Sequence, residues 1–181
     1  AAAVRVGASR FASPAAAAAP GGGPRLASAP GKPGETCVLL LDANNDSAHP
    51  LASRCTYGIV WTASATANRE GNALALAVQQ TETWRELWVV RKSAKSWTVR
   101  VLPPAAAAPD LGYADFAGWV PGGAQILVAR EARSEGRYRR RFEVLRLDTL
   151  AVETQASEPG TLRAFRRWQD AAWKRDTLAL R

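Results

Sequence analysis

Three tryptophans recur at related places in this chain and predict an internal repeat. Trp61, Trp119 and Trp168 each close a short apolar segment. A turn follows each of them, and after the turn comes a run in which apolar residues dominate, at 73–78, 125–129 and 177–180. Self-similarity of this kind constrains the architecture more than any single motif, because each repeat must be one supersecondary unit.

The repeat also extends to the residues before each tryptophan. A pair of short apolar runs precedes each one, and the pairs are 37–42 with 50–54, 86–91 with 97–102, and 142–147 with 150–154. The unit is therefore strand, turn, strand, Trp-ending strand, turn, strand. Successive tryptophans lie roughly 50 residues apart, which suits a four-stranded propeller blade. The pattern predicts an all-β fold of β-propeller blades.

We expect about three four-stranded units. Two are intact, near 57–102 and 115–154, and the halves 36–54 and 165–181 together form a composite blade, with a strand favoured over a helix near Trp168. Closed propellers usually have at least about four blades. The chain is therefore expected to be a partial propeller or a fragment of a larger one, or to pair into a homo-oligomer if it is complete. Its start without methionine indicates a processed or excised end.

Residues 1–35 differ in composition from the rest of the chain. Runs of alanine, proline and glycine leave almost no large apolar side chains there. Such a segment cannot offset the entropy of ordering itself. We expect a disordered leader or linker over 1–35 and a repeat domain over 36–181.

Residues 115–129 of the second unit read Asp-Phe-Ala-Gly-Trp-Val-Pro-Gly-Gly-Ala-Gln-Ile-Leu-Val-Ala. This stretch resembles the blade motif of TolB-type WD40-like (PD40) β-propellers of bacteria, in which an aromatic residue precedes Ser-Pro-Asp-Gly, a polar pair and an apolar strand. Val120 and Gly122 stand where the motif has serine and aspartate. The resemblance covers residues 55–155 best. It implies a propeller scaffold that binds proteins or peptides.

The two cysteines occupy opposed positions in the first predicted hairpin. If its turn centres on Asp46, Cys37 lies across from Cys55, at a separation that a disulfide can span. Two reduced, buried thiols are the alternative. A disulfide favours an oxidising compartment, so the sequence predicts a periplasmic or secreted protein. The cysteines and His49 match no zinc spacing, and we predict no metal.

The chain carries a net charge of +8. Its densest basic segment, 130–141, is predicted to be a long turn between two strands. The candidate binding patch within it consists of Arg133, Arg137, Tyr138, Arg139, Arg140 and Arg141. Interleaved glutamates make nucleic acid an unlikely partner, and leave an acidic protein surface or a solvated hairpin tip.

The chain has no Gly-x-Ser-x-Gly elbow and no glycine-rich phosphate loop, and it has one histidine. We therefore predict no enzyme, no catalytic residue and no cofactor. No apolar run reaches the length of a membrane helix. Three functions remain: an exported propeller module that binds a protein or peptide, the accessory propeller of a hydrolase whose catalytic domain lies elsewhere, and a polyanion-binding module.

Overall fold

A computed structural model describes residues 23–106 and 111–179 of the chain. In these residues the chain is built mainly of antiparallel strands, arranged in one three-stranded and one eight-stranded sheet. A short helical segment follows the last strand. The predicted all-β class is confirmed, and the described residues form no closed ring.

The three-stranded sheet comes first in the chain. Its strands are β1 (Arg25–Pro30), β2 (Thr36–Leu41) and β3 (Ala52–Thr56), in the order β1-β2-β3. Strand β1 falls inside the predicted leader, so the prediction of disorder is wrong for this part of 1–35. The physical reason is that Leu26 opposes Leu40 in the ladder and is buried with it. Residues 1–22 lie outside the described residues.

The next four strands form an antiparallel meander within residues 59–102. They are β4 (Ile59–Ala67), β5 (Ala73–Thr81), β6 (Trp84–Lys92) and β7 (Trp97–Leu102). Each pairs with the next along the chain. A β-bulge interrupts β4 between Trp61 and Thr66.

A second antiparallel meander covers residues 112–156. Its strands are β8 (Gly112–Val120), β9 (Gln125–Ser134), β10 (Arg137–Arg146) and β11 (Val152–Ala156). Two register pairs, Trp84 with Gly112 and Arg85 with Tyr113, join β6 to β8 in parallel. This short parallel contact makes the two meanders one eight-stranded sheet.

The three-stranded sheet, the first meander and the second meander stack on one another as three layers, because most of their central strands are apolar on both faces. Leu74 packs in a core against Leu26 and Val38 of the first sheet, whereas its neighbour Ala75 packs in a second core against Ile126 and Leu145 of the second meander. A third core lies on the far face of the second meander. Successive residues of one strand thus serve two different cores.

Helices cover this far face. A 3₁₀ turn, Pro159–Thr161, leads into α1 (Arg163–Trp168) and α2 (Ala171–Ala179). The predicted composite blade is therefore wrong for 165–181, where the described residues are largely helical. Phe165 is fully buried and meets Phe142 and Trp173 edge to face. A short amphipathic helix buries Phe165 here without needing a strand partner.

The link between α1 and α2 crosses β8 closely. The amide of Asp170 donates a 2.7 Å hydrogen bond to the carbonyl of Ala117. A Cβ at Gly118 would collide with the carbonyl oxygen of Trp168. Glycine is therefore needed where the helical segment docks on the sheet.

The tryptophans of the sheets and helices do not share one environment. Trp88 is buried and Trp119 packs at the edge of the core between the meanders. Trp61 and Trp168 are 47% and 39% exposed. Trp61 and Trp168 are exposed because β4 is an edge strand and Trp168 ends a helix.

Candidate binding cleft

A cleft of about 320 Å³ lies where the two meanders join. The β5–β6 turn contributes one wall, and β8 with the β9–β10 hairpin contributes the other. Its principal side chains are Gln79, Trp84, Arg85, Tyr113, Glu131 and Tyr138. We refer to it as the junction cleft.

Strand register sets the arrangement of four polar side chains at this cleft. Arg85 on β6 opposes Tyr113 on β8, which opposes Glu131 on β9, which opposes Arg140 on β10. Opposed residues in neighbouring strands project to the same face of a sheet. The four side chains therefore form one row across the join.

Glu131 is the centre of this row. The hydroxyl of Tyr113 donates a hydrogen bond of 2.6 Å to its carboxylate. Arg140 donates two more to the same oxygen, at 3.0 Å from Nε and 2.8 Å from Nη2. Both partners thus hold the glutamate in its ionised form.

Arg85 closes the other end of the row. Its guanidinium carbon lies 5.5 Å from the centre of the Tyr113 ring, which is within cation–π range. Its Nη2 atom is 2.5 Å from a carboxylate oxygen of Asp115. The Arg85 Nε atom is buried and has no hydrogen-bond partner among the described residues. The arginine is thus fixed from two sides.

The pKa values follow from these contacts. Burial, followed by the hydrogen bond to Glu131 and its negative charge, raises the pKa of Tyr113 to about 12. Burial acts to raise the pKa of Glu131, but the bonds from Tyr113 and Arg140 outweigh it and hold that pKa below its ordinary value. Burial raises the pKa of Asp115, and Arg85 opposes this only in part.

This chemistry favours binding over proton transfer. Tyr113 keeps its proton at neutral pH because its pKa is about 12, and Glu131 stays ionised. The carboxylates of Glu131 and of Asp115, which lies beside the row, already pair with arginines, whereas Tyr138 is 60% exposed. Exposed aromatic and arginine side chains are the residues enriched at protein interfaces.

The arginine-rich segment is a hairpin rather than the long turn predicted. Strands β9 and β10 continue through it to a two-residue turn at Glu135 and Gly136, with φ values of 52° and 74°. Positive φ at both positions matches the twist of the flanking strands, and this favours the tight turn. The prediction of a long turn was therefore wrong for 130–141.

Strand alternation divides the predicted patch between two faces. Tyr138 and Arg140 project toward the junction cleft, and Arg133 opposes Tyr138 on that same face. The remaining members alternate with them and lie on the other face: Arg137, Arg139 and Arg141. The six residues lie in one hairpin but do not form one continuous surface.

Some of these arginines have acidic partners and others do not. Arg140 pairs with Glu131, and Arg141 lies 3.7 Å from Glu143. Within the described ranges, Arg133 forms no ion pair with a carboxylate, and neither does Arg137 or Arg139. Three exposed cations near the hairpin tip are thus available to an acidic partner.

The disulfide lies away from the cleft, in the first sheet. Cys37 opposes Cys55 in the β2–β3 ladder, so the predicted register is confirmed, and their sulfur atoms are bonded. A carboxylate of Glu35 lies beside them. Because both sulfur atoms are in the disulfide, this cluster offers no thiolate to a metal. His49 instead bonds Asp46 in the exposed turn, at 2.8 Å.

In comparisons with protein-family models, curated proteins and solved structures, the chain gives no match. The resemblance to TolB-type propellers therefore stays a prediction. Among the described helices, none is both long and apolar enough to span a membrane.

Most of the junction cleft could not be located from the sequence. Tyr138 and Arg140 stand out in the basic segment, but Arg85, Tyr113 and Asp115 lie outside it. In the sequence, Glu131 stands out only as a negative charge among the arginines of this segment. The one signal in the sequence that could locate part of the cleft is the pairing of β9 with β10, because it opposes Glu131 to Arg140. The parallel β6–β8 contact has no signature in the local sequence.

Proposed function

We propose that this chain is an exported, non-catalytic module that binds an acidic, extended segment of a partner protein at the junction cleft. The observation that carries the proposal is the row of Arg85, Tyr113, Glu131 and Arg140, held rigid beside the exposed ring of Tyr138. Aromatic rings and arginines that are fixed before binding lose little entropy on association.

The charge distribution supports an acidic partner. Arg133 lies on the cleft face, and Arg137 and Arg139 lie on the back of the same hairpin. These cations and the net charge of +8 attract acidic chains and raise the rate of encounter. The disulfide supports export, because such bonds persist in oxidising compartments.

Selection from a displayed library of random peptides tests this function. Enriched peptides are synthesised, and their affinity is measured by titration calorimetry with the oxidised wild type and with Tyr138→Ala. Tyr57→Ala is the matched control, because Tyr57 is also an exposed tyrosine but lies outside the cleft. We expect enrichment of acidic peptides, and a loss of affinity of about tenfold or more for Tyr138→Ala only.

The proposal fails if no peptide is enriched above background. It also fails if Tyr138→Ala and Tyr57→Ala bind the enriched peptides as tightly as the wild type, because the cleft would then take no part.

The unpaired arginines also support a second candidate, a polyanion-binding module. Single-stranded DNA and poly-glutamate are suitable probes. A polyanion site predicts affinity for both probes that falls steeply with added salt, and that falls again when Arg137 and Arg139 are replaced by glutamine. Cleft binding predicts instead that Tyr138→Ala has the larger effect.

The role of accessory propeller to a hydrolase stays a further proposal. Its test is independent of the cleft, because it requires a catalytic domain with a Gly-x-Ser-x-Gly segment in the parent gene.

A further inference from the structure

A second cleft, of about 430 Å³, lies between the first sheet and the first meander. Asp42 and Leu51, which flank the β2–β3 connection, form one wall, and the β6–β7 hairpin forms the other. The volume is in the range of small-molecule sites. Among the described residues, none that lines this cleft also lines the junction cleft, so the inference stands apart from the proposed function. We call it the lysine cleft.

The lysine cleft holds two cations without acidic partners. Lys92 ends β6, Lys95 lies in the turn that follows, and both side chains are exposed. In the part of the chain that the structure describes, neither lysine forms an ion pair, although Asp42 lines the same cleft. The two ammonium groups are therefore available to an anionic ligand.

Trp97 supplies an aromatic surface beside these cations. It opposes Lys92 in the β6–β7 ladder, so the two side chains project to the same face. The half-buried Trp97 packs against the core between the first sheet and the first meander, and it also lines the cleft. The turn that carries Lys95 is closed by a 2.8 Å hydrogen bond from the amide of Ser93 to the carbonyl of Ser96. The ring and the backbone that carries both lysines are thus fixed before a ligand binds, which limits the entropy lost on binding.

Asp42 restricts the class of anion that this cleft can take. Its two carboxylate oxygens accept hydrogen bonds from the backbone and side-chain nitrogens of Asn44, at 2.9 and 3.3 Å. Each oxygen can still accept a further bond, for example from a hydroxyl group. The same carboxylate repels the phosphate groups of a nucleotide. A neutral sugar would leave both lysines unpaired.

We propose that the lysine cleft binds a sugar that carries a carboxylate, such as a uronic acid. The sugar carboxylate pairs with Lys92 and Lys95, and the sugar hydroxyls donate to Asp42. The apolar face of the sugar ring packs on Trp97. One class of ligand thus accounts for the cations, the acid and the aromatic ring together.

Titration calorimetry of the oxidised chain with trigalacturonate tests the class of ligand. We expect saturable binding that is about tenfold or more tighter than the binding of maltotriose, which has no charge, and of tripolyphosphate, which has no ring and no sugar hydroxyls. Absence of saturable binding overturns the proposal. Equal affinity for maltotriose overturns the role of the lysines, and equal affinity for tripolyphosphate overturns the choice of a sugar.

A charge-matched pair of double variants tests the location. Lys92→Gln combined with Lys95→Gln should weaken the binding of trigalacturonate by about tenfold or more. Arg137→Gln combined with Arg139→Gln removes the same charge outside the cleft and should leave the affinity unchanged. Thermal melting checks that both variants are folded. Affinity retained by the lysine variant overturns the proposal, as do equal losses in the two variants, which would indicate attraction to the net charge alone.

The indole N–H signal of Trp97 in heteronuclear NMR provides a readout inside the cleft. The signal is identified by its absence from the spectrum of Trp97→Phe. It should shift as the wild type is titrated with trigalacturonate. A signal that does not move at saturation places the bound sugar elsewhere and overturns the proposal.

Discussion

The hydroxyl of Tyr113 donates a 2.6 Å hydrogen bond to Glu131, the residue directly opposed to it in the β8–β9 ladder. The bond couples two titrations in opposite directions, because it raises the pKa of the phenol and lowers that of the carboxyl. The folded chain therefore favours protonated tyrosine and ionised glutamate at this pair.

Stability should fall at alkaline pH through Tyr113. The pKa of this residue rises from 10.0 to about 12 on folding, so its contribution is present below about pH 10 and is lost as pH rises through about 12. Its upper limit is about 2–3 kcal/mol. Urea unfolding between pH 8 and pH 12 measures the effect. Tyr113→Phe should show a shallower alkaline loss than the wild type, and equal slopes would contradict the raised pKa.

The buried pair of Arg130 and Glu143 should be sensitive to removal of its acid. The two side chains are 13% and 1% exposed, and their charged atoms lie 2.6 Å apart. Glu143→Leu leaves a buried guanidinium without its counter-charge, so we expect a loss of about 3–5 kcal/mol in the free energy of unfolding. Glu153→Leu, at a more exposed glutamate, is the control. Similar losses for both variants would argue against a special role for the buried pair.

The disulfide should stabilise the first sheet. Cys37 and Cys55 close a loop with a sequence separation of 18, for which chain entropy predicts about 3 kcal/mol. The double change of both cysteines to serine should lower the free energy of unfolding by that amount in chemical denaturation. Thiol titration of the denatured, unreduced wild type should find no free thiol. Two titratable thiols would contradict the bond.

The helical segment should contribute to the core through Phe165. Because this side chain is fully buried, Phe165→Ala should cost about 3–5 kcal/mol in the free energy of unfolding. Trp168→Ala, in the same helix, should cost much less, since Trp168 is 39% exposed. Equal shifts in the melting temperature would indicate that α1 does not pack as described.

Several features follow from the sequence because local patterns specify them. Alternating apolar residues and turn residues define the strands of both meanders, and a hairpin turn near Asp46 suffices to oppose Cys37 to Cys55. The repeat predicts units near 57–102 and 115–154, and the structure has four strands within 59–102 and four within 112–156. These are properties of short segments, and they need no knowledge of distant contacts.

The rest was decided by tertiary structure. The segment around Phe165 is compatible with a strand or a helix, and the helix is formed because its apolar side packs on Phe142 of the second meander. The leader residue Leu26 joins a strand because Leu40 is there to oppose it. The junction cleft exists only because β6 meets β8 over two register pairs, which brings Arg85 to Tyr113. Arg85 and Tyr113 belong to different meanders, so their contact depends on how the two meanders join in the folded chain, and no local pattern encodes it.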